Sequence, residues 1–204
     1  MWTIISAALL TVGTTIVRSD ASGERPNLVV VLVDDWGVGY PKFMYNNPDP
    51  MSTPAMDELA AGGIILDQAY AHKFCSPSRA SLLTGRAGWK HTAAIDNLIP
   101  WTRQEGIDLS YKIWPQRLVE EAGYPRIPQI GKYHQGLWRP DYTPVQRGFT
   151  SSYGFLSGGE DHFTQGCFNP TKECPCRDLY NDTAPSKEPM GEFNTYRFTR
   201  YAVQ

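Results

Sequence analysis

The chain has 204 residues, 41% of them hydrophobic and 20% charged, an ordinary globular balance that allows one good core. Its formal net charge of -2, without basic runs, excludes the electrostatic footprint of a nucleic-acid binder. Gly 18 and Pro 16 predict plentiful loops, and six Trp with eleven Tyr suit a packed core more readily than a carbohydrate-facing cleft. Residues 2–17 are apolar and uncharged, Arg18 and Asp20 end the run, and Ser19-Asp20-Ala21 has the small-x-small pattern of a signal-peptidase site. This predicts a signal peptide over residues 1–21, too short to make a stable membrane span. Residues 27–33 form a nearly unbroken, Val-rich run, the pattern of a strand buried on both faces of a parallel sheet. Asp34-Asp35 follow it, placing two carboxylates at the carboxyl end of that strand, where open α/β sheets bind ligands.

Thr53 as N-cap and Pro54 at the first helical position predict a helix that Gly62-Gly63 stops. Residues 64–71 are the second expected strand. A helix is expected over residues 77–84, ended by Gly85, and another over 115–122, again between a Pro start and a Gly stop. Residues 123–132 call for a strand, but Pro125 and Pro128 interrupt it, and Pro removes ladder donors. Beyond Phe149 the chain becomes Gly-, Pro- and polar-rich, then aromatic and amphipathic over residues 193–204. Alternating strands and helices imply an α/β fold with a largely parallel sheet.

Four cysteines fit a secretory route. Cys167, Cys174 and Cys176 lie close together and are disulfide candidates, although one bridge among them leaves a thiol over. A zinc site lacks a fourth ligand at suitable spacing. Asn181-Asp182-Thr183 is an N-glycosylation sequon in a polar loop.

Cys75 precedes a short helix, so its sulfur faces backbone N–H groups and the positive end of the helix dipole. Arg79, one helical turn on, can face the same spot, and together these make an anion site. A cysteine phosphatase loop is excluded, because that chemistry places the Arg six positions after the Cys across Gly-rich backbone. An isolated cysteine would ordinarily be a buried structural thiol. The surrounding residues decide otherwise: Cys75-Ser76-Pro77-Ser78-Arg79-Ala80-Ser81-Leu82-Leu83-Thr84-Gly85-Arg86 resembles the signature of type I sulfatases at every defined position. The resemblance implies the alkaline-phosphatase-like sulfatase fold, an α/β architecture with a mostly parallel sheet, here C-terminally truncated.

It further implies that a formylglycine-generating enzyme converts Cys75 to formylglycine, whose hydrate attacks sulfur with one hydroxyl and expels sulfate with the other. Arg79 would hold that diol. Asp34 and Asp35, with the residue at position 75, would bind Ca2+, a hard cation suited to carboxylate oxygen. Gly131-Lys132-Tyr133-His134-Gln135-Gly136 resembles the family's Gly-Lys-x-His element, implying that Lys132 binds sulfate and His134 supports the diol. Lys and His two apart share one side of an extended segment. Arg147-Gly148-Phe149 and residues 153–162 resemble arylsulfatases of the B type, which brings His162 and Trp138 toward the substrate cleft. His72 and His91 are read as structural.

The resemblance runs from Arg25 to residue 204, so a single incomplete sulfatase N-terminal domain is expected over residues 25–204. Family members are longer, and the Asp-Asn pair, His and Lys of their second half have no match here. The chain is therefore expected to be a truncated product or gene-model fragment with impaired hydrolysis. Its expected partners are a sulfated small molecule or glycan, with no nucleic acid, and its expected location is the secretory pathway, secreted or lysosomal. Two alternatives stand beside sulfuric ester hydrolysis: a phosphodiester or phosphonate hydrolase of the same superfamily, and a non-catalytic secreted sulfatase-like binding protein.

Overall fold

The computed structural model describes residues 25–45, 52–91, 99, 104–166 and 176–204, and the predicted signal peptide over 1–21 lies outside them. The chain divides into two units, Met1–Ala71 and His72–Gln204. The described part of the first unit contains two helices, α1 (Lys42–Tyr45) and α2 (Pro54–Gly62). Helix α2 starts and stops where its Pro and Gly residues demand. Pro54 opens it, and Gly63 closes it by donating its N–H to the Ala60 carbonyl at 3.3 Å. Thr53 holds the N-cap position, but its hydroxyl donates to the Asp57 carboxylate at 3.2 Å rather than capping a backbone N–H.

The strands expected over residues 27–33 and 64–71 are absent from the described first unit. Both segments run without ladder partners, and Leu28 through Val33, Ile64, Ile65 and Leu66 are all exposed. Their unpaired state has a direct cause. A ladder needs a neighbouring backbone, and the described residues of this unit provide none. An apolar run records a preference for burial but cannot satisfy it alone.

The second unit is built from α3 (Cys75–Thr84), α4 (Trp114–Glu120), a four-stranded sheet and α5 (Asn194–Ala202). The sheet runs in the order β1 (Pro128–Ile130), β2 (Ser151–Gly154), β3 (Tyr180–Asn181), β4 (Ala184–Pro185). Strands β1 and β2 are parallel and the other two pairs antiparallel, so the sheet is mixed; its parallel component is the pair that leads into the site. Pro128 is tolerated because it is the first residue of β1, where the missing N–H costs no ladder bond. The pairing continues past β1: Gly131 N–H donates to the Tyr153 carbonyl at 2.9 Å, and Tyr133 N–H to the Phe155 carbonyl at 3.0 Å.

Helix α3 begins two residues earlier than the Pro77 start expected from sequence, and Gly85 ends it in the left-handed region at φ 67°. In α4 the Gln116 side chain accepts the Ile113 N–H at 3.0 Å, satisfying a donor that precedes the helix. The core joins Ala80 and Leu83 of α3 to Ile107, Ile113, Ile127, Tyr133, Phe149 and Leu156. Phe149 anchors it through edge-to-face contacts with Trp114 at 5.7 Å and Tyr133 at 6.3 Å. Helix α5 docks on the sheet by stacking Tyr201 on Tyr153 at 3.6 Å and burying Arg197, which pairs with Glu188 at 2.7 Å.

Candidate active site

Cys75 is the first residue of α3, which follows an extended Phe74 at φ -126° and ψ 154°. The entry is pinned by Ser78, whose hydroxyl reaches the carbonyls of Phe74 at 2.8 Å and His72 at 3.0 Å. The first-turn N–H groups have no acceptor within the helix, so the Cys75 side chain sits where the backbone favours negative charge. Its thiol is free and half-buried.

Four contacts stitch this helix end to the segment leaving β1. Arg79, buried on the helix, donates from Nη1 to the Lys132 carbonyl at 2.6 Å. Cys75 Sγ lies 3.2 Å from His134 Nδ1, and Ser76 Oγ lies 3.1 Å from His134 Nε2. Gln135 Nε2 donates to the Ser76 carbonyl at 3.1 Å. The structure thus brings Cys75, Arg79, the Lys132 backbone and His134 together. Strand alternation is not what places His134. The backbone leaves extended geometry at Gly131, φ 87°, and at His134 itself, φ 55°, a left-handed conformation uncommon outside glycine. That turn carries the imidazole onto the start of α3.

The imidazole is enclosed. His134 is 3% exposed, and a Cβ added to Gly158 would lie 2.7 Å from its Cε1, so only glycine fits beside the ring. The Gly158 loop is held from the other side by Asp178, whose carboxylate accepts the N–H groups of Leu156 at 3.1 Å and Ser157 at 2.9 Å. Tyr133, between Lys132 and His134, points into the core, and burial raises its hydroxyl pKa well above the ordinary range. Ser76, the Ile99 carbonyl, Gln135 and Gly158 surround the site without having been singled out by sequence. Only Ser76 and Gln135 carried a signal, as polar residues inside motif blocks that are fully buried in the structure.

His72 and His91 brace the far end of α3. His72 Nε2 receives the Gly88 N–H at 3.2 Å, and buried His91 lies 3.0 Å from the Thr84 hydroxyl, its pKa lowered chiefly by desolvation. Trp138 is exposed, and His162 is exposed with its ring against Phe193 at 5.4 Å. Asp34 and Asp35 belong to the first unit, in an exposed turn where Asp35 adopts φ 49°. Their oxygens are hard donors of the kind calcium prefers, but two carboxylates fall short of the roughly six to eight ligands it takes. Among the described residues no group of three or more His, Cys, Asp or Glu converges on one point. Cys176 is disulfide-bonded, while Cys167 and Cys174 lie outside the described residues. Asn181 is exposed at the end of β3, beside the turn to β4. No helix among the described residues is long and apolar enough to cross a membrane.

The family model described as Sulfatase matches residues 26–187. The chain belongs to the sulfatase family. Mouse (Mus musculus) arylsulfatase J is 33% identical to this sulfatase-family chain over 188 residues, covering 90% of it and 30% of the relative. Human (Homo sapiens) N-acetylgalactosamine-6-sulfatase is 38% identical over 144 residues, covering 66% and 26%. The Klebsiella aerogenes arylsulfatase is 32% identical over 154 residues, covering 70% and 31%. Among solved structures, the crystal structure of Ps i-CgsB is similar with a TM-score of 0.52 at 31% identity, covering 65% of this chain and 30% of that one. The sulfatase chain therefore has the alkaline-phosphatase-like α/β fold of its family, and it spans about 30% of the length of these curated relatives.

Proposed function

We propose that the protein to which this chain contributes hydrolyses sulfuric esters, with the residue at position 75 as nucleophile. The observation that carries the reading is the convergence at the start of α3: Cys75 Sγ 3.2 Å from His134 Nδ1, with Arg79 tied to the Lys132 carbonyl. A helix N-terminus with a guanidinium beside it favours an anion such as sulfate. Formylglycine, made from Cys75 by the formylglycine-generating enzyme, would supply a hydrated aldehyde as nucleophile. His134 would accept a proton from that group, Arg79 would hold it, and Lys132 would bind sulfate oxygen. Asp34 and Asp35 would contribute two ligands to Ca2+, which when bound polarises a sulfate oxygen. The relatives' names favour a sulfated aryl compound or a 6-sulfated N-acetylgalactosamine as substrate, and such a sugar within a glycosaminoglycan is the proposed form. The secretory pathway, ending outside the cell or in lysosomes, is the proposed location. Cys167 or Cys174 would supply the bridge to Cys176, and Asn181 would carry a glycan.

The test is expression of a full-length form in a secretory host, followed by mass spectrometry of the Cys75 peptide and assay of sulfate and phosphate esters. Conversion of Cys75 and turnover of sulfate esters are expected, with Cys75→Ala losing at least about 10³-fold because the nucleophile is gone. Turnover of phosphate diesters alone would replace this reading with a phosphoester hydrolase. An unconverted Cys75 without turnover would leave a binding protein. The 204-residue chain by itself is expected to bind calcium weakly and to turn over aryl sulfates poorly. Full-rate turnover by it would refute that expectation.

A further inference from the structure

His134 is held by a set of buried groups that dictates where its proton sits. Nε2 lies 3.0 Å from the Ile99 carbonyl oxygen and 3.1 Å from Ser76 Oγ, while Nδ1 lies 3.2 Å from Cys75 Sγ and a longer 3.5 Å from Ser76 Oγ. A carbonyl oxygen only accepts hydrogen bonds, so the neutral ring must carry its hydrogen on Nε2 to use that contact. The opposite tautomer would set two lone pairs against each other at 3.0 Å in a dry site. Nδ1 is then the acceptor, and it is the nitrogen that faces position 75.

Ile99 is in turn held by Ser76. The Ile99 N–H donates to Ser76 Oγ at 2.9 Å, so one hydroxyl anchors the residue whose carbonyl sets the tautomer and also touches the ring. Ser76 is 1% exposed, Ile99 3% and His134 3%, which leaves water no access to replace a missing partner. Gly158 packs against the ring so closely that a Cβ there would come within 2.8 Å of Nε2.

We propose that Ser76 is a positioning residue which, by anchoring Ile99, locks His134 in the Nε2–H tautomer and leaves Nδ1 as the proton acceptor for the group at position 75. Its catalytic meaning rests on the sulfatase reading, but the tautomer itself does not. Ser76 acts through Ile99 and His134 and need not touch substrate.

The test is long-range proton–nitrogen NMR of the 204-residue chain with Cys75 left as the thiol and its histidines labelled with nitrogen-15, above the pH at which imidazole is charged. With only four histidines in the chain, a His134→Asn spectrum assigns the signal. His134 is expected to show a protonated Nε2 and an unprotonated Nδ1. Ser76→Ala is expected to raise the Nδ1–H share roughly fivefold, the equivalent of one lost buried hydrogen bond. Ser76→Thr, which keeps the hydroxyl, is expected to restore the parent pattern. Should Ser76→Ala fail to fold, Ser76→Cys, of similar size but with weak hydrogen bonding, replaces it under the same reading. A protonated Nδ1 in the parent chain, or an unchanged tautomer in the folded variants, overturns the proposal. No sulfate ester enters the measurement, so a failed sulfatase assay leaves this result standing, and a wrong tautomer leaves the sulfatase reading standing.

Discussion

Replacing Gly154 with Ala is expected to destabilise the chain by about 3 kcal/mol or more, the upper range for overpacking, and to lower its thermal midpoint by roughly 6–12 °C. The new Cβ would overlap the Gly131 carbonyl oxygen and lie 2.7 Å from the Gly131 carbonyl carbon and nitrogen. These are backbone atoms of the adjacent parallel strand path, so no side chain can rotate away to make room. Relief requires β1 and β2 to part where Gly131 N–H bonds the Tyr153 carbonyl. The segment displaced is the one that carries Lys132 and His134, so the fold and the site should fail together. Circular-dichroism melting of Gly154→Ala against Gly62→Ala makes the comparison. Gly62 lies in helix α2 with open space around its Cβ position, and Ala there should be neutral or slightly stabilising. Matching midpoints for the two variants would contradict the close approach.

The second large effect concerns pH. Glu160 is 8% exposed; Asn194 donates to its Oε1, and its Oε2 is buried with no hydrogen-bond partner among the described residues. Burial, followed by the negative charge of Asp178, pushes its carboxyl up to about 8, against the weaker pull of Arg177 and Arg197. The folded chain therefore holds a proton that the unfolded chain releases near the ordinary glutamate pKa of about 4.3. By linkage, this contribution to stability is complete below that lower value. It declines as pH rises and is fully lost once the pH passes the folded pKa of about 8. Glu160→Gln keeps the neutral shape and the Asn194 bond while removing the titration. Urea unfolding between about pH 5 and pH 9 should show the parent losing roughly 4 kcal/mol that the variant retains. Parallel stability curves for the two proteins would show that Glu160 does not titrate in this window. Glu160 follows Gly158, against which His134 packs, by two residues, so the titrating carboxyl lies close in sequence to the candidate site.

Much of the local structure was legible beforehand, for particular reasons. Pro54, Gly63, Gly85 and Gly123 mark helix ends because φ restriction, missing N–H groups and left-handed geometry act within a few residues. The Cys75–Arg86 block is equally local: Cys75 and Arg79 share a helix face by virtue of the helical turn alone. Residues 27–33 illustrate the opposite case. Their apolarity expresses a need for neighbours, but which backbone pairs with them is not a property of the run, and they stand unpaired among the described residues. Pro128 shows how a local rule can be misapplied. It opens a strand instead of breaking one, because its position in the register, not its identity, decides whether an N–H is needed.

By itself, the sequence determined the family, the boundaries of α2, α3 and α4 to within about two residues, and the Cys75–Arg86 motif, since each depends on residue types at short spacing. The tertiary structure decided which groups meet that block. His134 reaches Cys75 through a left-handed backbone turn, the tautomer is dictated by a carbonyl from Ile99, and Glu160 keeps its proton because the fold removes it from water. These outcomes depend on distances between residues dozens of positions apart, and no short-range rule of the chain contains them.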